Sequence, residues 1–193
     1  MLGLVAGLAA SGGVIWYTDE ASFLSAVRVA SVLGFDAVDT SGGAVPITGN
    51  EFSPDLFSSP VPGEPGQLKV EPPGWFYGSN FLSIGERPFV CCDGNEDDLI
   101  WDILGDWLAV GFRLVDNAGG SGESITVVGD SGTLGILHEI PRQFFGVIAD
   151  RPIRRILVDE LAWDHDDVGY DAFVRAFPIP EPGTLTLGVT GMA

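Results

Sequence analysis

Basic residues are scarce in this chain: 9 Lys and Arg stand against 27 Asp and Glu, a formal net charge of -18. A field of that sign repels nucleic acid and anionic lipid head groups, which excludes a nucleic-acid partner. It draws in divalent cations, or simply keeps a secreted protein in solution. Histidine is rarer still, with only His138 and His165. A Ser-His-Asp triad can be written with them, but no Gly-x-Ser-x-Gly elbow supports it, and His138 falls in a strand-like run between Leu137 and Glu139. Rossmann and P-loop glycine motifs are absent. The only cysteines, Cys91 and Cys92, are adjacent, and neighbours close a disulfide only through a strained peptide, so an ordinary staple is excluded. Without C-x-x-C spacing or a nearby His, zinc is not expected. Two buried thiols, a vicinal disulfide and a bridge to another chain all stay open.

What is abundant points to sheet. The 193 residues suffice for one domain with a full core, 46% of them are hydrophobic, and 27 Gly with 13 Pro demand many tight turns. Val14-Ile15-Trp16-Tyr17 reads as a strand. Thr18-Asp19-Glu20 offers an N-cap and acidic first turn, with Phe23, Leu24 and Val27 on one helical face, so residues 19–29 read as the one clear helix. Residues 32–36 begin the β body, and residues 41–73 read as loop with a strand at 67–71. Residues 80–84, 98–103, 107–115, 124–128, 133–140, 144–149, 153–159 and 172–177 follow as strands, with Gly129-Asp130-Ser131-Gly132 as a hairpin turn. In 107–115, Leu108, Val110, Phe112 and Leu114 alternate with Trp107, Ala109, Gly111 and Arg113, the period of a sheet with one buried face. These readings predict an all-β fold, an antiparallel two-sheet jelly-roll sandwich with one short N-terminal helix. The sandwich is placed at residues 14–177, between an apolar segment at 1–13 and a tail at 178–193.

Two acidic loops offer the oxygen ligands that Ca²⁺ takes from flexible loops. The first alternates Asp93, Asn95 and Asp97, but lacks the glycine and distal Glu of an EF-hand. The second holds Asp164, Asp166 and Asp167, with Asp171 opening the final strand. Asp36 joins it if the first and last strands lie side by side, and a divalent cation would relieve the mutual repulsion of these carboxylates. A solvated acidic loop is the competing reading. Trp75-Phe76-Tyr77 follows Pro72-Pro73-Gly74, and consecutive aromatics in a strand cannot all face inward, so Trp75 and Tyr77 are candidates for stacking on sugar rings or for packing. Trp101 and Trp107 are expected in the core. Paired carboxylates for glycoside hydrolysis need a separation in space that sequence does not supply.

The ends read as addresses. Residues 1–12 resemble the apolar core and small-residue end of a secretory signal, although no Lys or Arg precedes Arg28. The alternative is an N-terminal strand buried in the fold or in a neighbouring subunit. The stretch Phe177-Pro178-Ile179-Pro180-Glu181-Pro182-Gly183-Thr184-Leu185 resembles the start of a PEP-CTERM sorting signal, with Pro180, Glu181 and Pro182 as its motif. That resemblance implies a secreted protein of a Gram-negative-type bacterium that makes exopolysaccharide, handed to an exosortase and displayed extracellularly or at the cell surface. Such a signal continues into a membrane-spanning helix and basic residues, whereas the residues after Pro182 include Gly and Thr and no Lys or Arg, so the anchor is incomplete in this chain. The body resembles a domain found upstream of such tails through Tyr17–Ala26, Gly34-Phe35-Asp36, Phe144–Ile153 and Gly169-Tyr170-Asp171-Ala172-Phe173. The last piece there usually reads Gly-x-Asp-Asp-hydrophobic, and Ala172 replaces one acid. The resemblance implies a jelly roll akin to carbohydrate-binding modules.

The expected function is therefore a non-enzymatic surface or matrix structural protein, Ca²⁺-stabilised and assembling with copies of itself into an oligomer or filament. The alternative is a carbohydrate-binding module acting on exopolysaccharide, with an extracellular hydrolase a distant third. Residues 1–10 and 184–193 are each about strand length, and Leu185, Leu187 and Val189 alternate, so either segment suits strand addition to a neighbour, with Cys91 or Cys92 as a covalent lock.

Overall fold

Asp19 has an extended backbone and its carboxylate accepts the Ser22 amide at 2.7 Å, which caps α1 (Glu20–Ala26), the only helix among the described residues. The computed structural model describes residues 13–52, 54–58, 68–73, 78–83, 99–115, 124–138, 143–159 and 169–180. Helix is expected up to residue 29, but it stops at Ala26, and Val27 to Val29 already belong to β2 (Val27–Leu33). The β-branched valines favour strand, and pairing with the last strand outweighs another helical turn.

The other strands are β1 (Val14–Tyr17), β3 (Val45–Pro46), β4 (Leu56–Ser58), β5 (Lys69–Glu71), β6 (Phe81–Ser83) and β7 (Leu99–Asp102). They continue with β8 (Ala109–Val115), β9 (Ser124–Gly129), β10 (Gly132–His138), β11 (Phe144–Ala149), β12 (Ile153–Asp159) and β13 (Gly169–Pro178). The larger sheet runs β1-β11-β8-β13-β6-β5-β3, with β2 also on β13, and the smaller runs β10-β9-β12-β7-β4. The pairings are antiparallel, and the fold is the all-β two-sheet sandwich that the sequence predicts. Strands β3 and β4 lie in the stretch expected to be loop.

The main core fills the space between the sheets. Trp101 is fully buried, stacks with Phe57 at 6.2 Å, and meets Phe173 and Phe112 edge-on at 4.9 and 6.4 Å. Each such side chain contributes about 1.5–3 kcal/mol by leaving water. Trp107, expected with it, is only half-buried at the rim, against Phe177.

A second, smaller core corrects the reading of β8 as a strand with one buried face. Ala109 and Gly111 are buried as well, because α1 covers the outer side of the larger sheet. Phe23 packs there with Val27, Phe144, Val174 and Ala176. Arg113, the one exposed residue of β8, holds the helix with two bonds of 2.9 Å to the Glu20 carboxylate. Gly111 is required at this crossing, since a Cβ would sit 2.7 Å from the Phe145 carbonyl oxygen. Among the described residues, no helix is long and apolar enough to cross a membrane.

Candidate functional site

The pairing of β2 with β13 brings two of the predicted acids to one end of the sandwich. Leu33 lies opposite Phe173, so the chain leaving β2 through Gly34-Phe35-Asp36 runs beside the start of β13, where Asp171 stands. Phe35 anchors this exit, fully buried and edge-on to Phe52 at 5.0 Å and Phe173 at 6.0 Å. Asp36 is left exposed, while Asp171 is only 5% exposed. The Asp171 carboxylate reaches the Gly34 backbone: a Cβ on Gly34 would lie 3.6 Å from Asp171 Oδ1.

Two consecutive residues tie the acids together. Ser79 Oγ donates to Asp171 Oδ2 at 2.9 Å, and the Asn80 amide donates to Asp36 Oδ1 at 3.1 Å. The Asn80 side chain is buried and well satisfied. Its Nδ2 donates to the carbonyls of Phe35 at 3.1 Å and Val38 at 2.8 Å, and its Oδ1 accepts from Thr40 Oγ1 at 3.0 Å. Against β8, Asp171 pairs with Arg113 and Val174 with Gly111, so Ala172 and Phe173 together face Phe112. This bulge holds Ala172 at φ 51°, a left-handed conformation that an L residue adopts at a cost, and it sets where Asp171 points.

The chemistry gathered here is hard oxygen: two carboxylates, hydroxyls and main-chain carbonyls. That donor set suits a hard divalent cation more than acid–base or nucleophilic work. No cluster of three or more metal-binding side chains forms among the described residues. Asp164, Asp166 and Asp167 lie outside them, in the segment that leads into β13, as do Asp93, Asn95, Asp97, Trp75, Tyr77, Cys91, Cys92, His165, Glu181 and Pro182. Pro180 stands exposed beyond the end of β13, and His138 is exposed at the end of β10.

Sequence reasoning missed Ser79 and Asn80 as site residues, since Asn80 reads only as the start of the strand at 80–84 and nothing local marks its distant partners. A second buried polar group was also missed. Asp55, just before β4, is 2% exposed and accepts from Trp101 Nε1 at 3.1 Å and Arg175 Nη1 at 3.2 Å. Burial pushes its carboxyl above the usual carboxylate range, against the opposing pull of Arg175 and the Trp101 bond. Arg175 also donates from Nε to Ser31 Oγ at 2.9 Å and lies over the Trp107 ring, 5.4 Å from its centroid. On β5, Lys69 and Glu71 form a nearly buried ion pair at 3.1 Å, yet Glu71 Oε1 accepts no aligned hydrogen bond; the contact is one of charge rather than direction. Both groups are structural in their surroundings.

No protein-family model matches the chain, and no curated protein matches it.

Proposed function

We propose that this protein is a non-enzymatic structural component of an extracellular surface or matrix, a β-sandwich stiffened by Ca²⁺ that assembles with copies of itself. The observation that carries the reading is the junction of Asp36 and Asp171, held by Ser79 and Asn80 where the first part of the sandwich meets its last strand. A cation there would pin β2, β6 and β13 together at the start of the segment that carries Asp164, Asp166 and Asp167. Its role is to hold rather than to react, since the groups assembled are oxygen acceptors and their donors. The resemblance of Phe177 to Leu185 to a PEP-CTERM signal supports the location, with an exosortase as processing partner and exopolysaccharide as surroundings. The charge of -18 favours a cation-rich extracellular setting.

The test is thermal melting of the full chain with Ca²⁺ and with chelator. A ligand that binds only the native state stabilises it by RT ln(1 + [L]/Kd), about 2.7 kcal/mol at a hundredfold excess over Kd. Melting is expected to rise with Ca²⁺, and Asp171→Asn and Asp36→Asn to shrink that rise. A melting curve unmoved by chelator, with no heat of Ca²⁺ binding by calorimetry, would leave the junction as hydrogen bonds alone and remove calcium from the reading.

A further inference from the structure

We propose that the outer face of β2 is an interface between two copies of this chain, packed about a two-fold axis. Direct cross-strand neighbours share a face of a sheet. Val29 lies opposite Ala176 and Val32 opposite Val174, and both partners belong to the small core under α1. Val29 and Val32 therefore continue that apolar face beyond the helix, where they are 40% and 57% exposed. The helix that covers the neighbouring part of the face exposes Leu24 as well, at 39%.

Charge permits a second copy to approach here, and self-assembly makes it the occupant. The chain carries 27 acidic residues among 193, yet none occurs between Glu20 and Asp36, and none from Ala172 to Pro180. These two stretches are paired strands, and the neighbours that share the outer face, Val27, Val29 and Val32 with Val174 and Ala176, carry no charge; Arg28 and Arg175 lie opposite Phe177 and Ser31 on the other face, where Arg175 meets Asp55. Two copies at -18 repel each other, and a contact made through these uncharged residues adds no like-charge pair to that repulsion. The face lacks two of the usual guards of an open strand, lysine and proline. The chain's single lysine, Lys69, is buried, and β2 contains no proline. A bulge leaves Ala30 unpaired between Val29 and Ser31, so the contact runs through side chains of the face and not through an unbroken backbone ladder. A self-complementary patch closes as a dimer.

The proposal deepens the self-assembly reading and rests on it. The experiment is sedimentation velocity of the full chain over a range of concentration and salt. A dimer is expected that strengthens as salt rises, because screening removes the repulsion and leaves the apolar contact. Val29→Lys with Val32→Lys is expected to weaken it at least about tenfold, and Ile136→Lys on β10 to leave it unchanged. Val32→Glu alone, at the more exposed position, serves if the double variant fails to fold, as judged by circular dichroism and melting. A chain monomeric at every concentration and salt overturns both this interface and self-assembly. Association that survives these valine substitutions, or that Ile136→Lys abolishes, overturns the interface and leaves self-assembly standing.

Discussion

Asp55 shows at the scale of one residue how a buried charge both holds and costs. It satisfies the Trp101 indole N–H and faces the Arg175 guanidinium, whose side chain is 16% exposed. Its pKa is raised by burial, so protons bind it more readily in the folded chain than in the unfolded one. Its contribution to stability is therefore greatest below the unfolded-state pKa and declines as pH rises through the folded value. Asp19, Asp39, Glu51 and Asp130 have the opposite sign. Hydrogen bonds from Ser22, Ser41, Thr48 and Arg154 lower their pKa values, and the stability they add is present above the unfolded pKa and lost on acidification. The difference between wild type and Asp55→Asn isolates the one residue. In urea unfolding at stepped pH, the wild type is expected to lose stability relative to that variant as pH rises above the usual carboxylate range. Asp55→Ala is expected to cost about 3 kcal/mol at neutral pH, because it strands a buried cation and a buried indole donor. Neither Asp55 nor Asn80 was legible in sequence, since burial of a polar residue is decided by elements far away in the chain. Asp36 and Asp171 were legible as neighbours from the expected adjacency of first and last strands, although the strand that lies beside β13 is β2, since β1 pairs with β11.

Elements divide in the same way between local and distant causes. The long strands announced themselves, since alternation over six or seven residues is a property of the segment alone, as in β8, β9 and β12. β3 and β4 did not, because they are two and three residues long and exist through partners, Pro46 opposite Lys69 and Phe57 opposite Trp101. Gly49, at φ 86°, supports the turn into β4 and accepts the Phe57 amide at 2.9 Å. The end of α1 was misjudged because Val27 suits a helical apolar face as well as it suits the strand that claims it. The buried second face of β8 depends on a helix some ninety positions earlier, fixed by the Glu20–Arg113 pair. Gly111 and Gly146 face each other where β8 and β11 pass beneath Phe23 and Phe144. Gly111→Ala is expected to destabilise by about 2 kcal/mol, since a methyl must displace backbone and ring together. Equilibrium denaturation measures it. Ala at Gly132, whose Cβ would meet nothing within 4 Å, bears only the cost of its positive φ and serves as the comparison.

For the whole molecule, the two proposed contacts differ in symmetry, and that difference decides what they build. The β2 face is self-complementary, so it closes into a dimer and stops. A terminal strand inserted into a neighbour's open edge is head-to-tail and does not close; repeated, it makes a filament. Acting together, they would build a filament whose repeating unit is the dimer. Residues 184–193 are uncharged, with Leu185, Leu187 and Val189 alternating, so their entry into a neighbour meets no like-charge barrier in a chain of -18. Removing them is therefore expected to leave dimers and abolish longer assemblies. Val29→Lys with Val32→Lys is expected to leave filaments one protomer wide. Negative-stain imaging of the full chain, the truncated chain and the β2 variant, each at matched salt and Ca²⁺, distinguishes these products. Filaments unaltered by the truncation would exclude the tail as the donor strand and turn attention to residues 1–10, the other apolar end. Because a net charge of -18 opposes association of copies, added Ca²⁺ should promote elongation in every variant that retains the tail, and in none that lacks it.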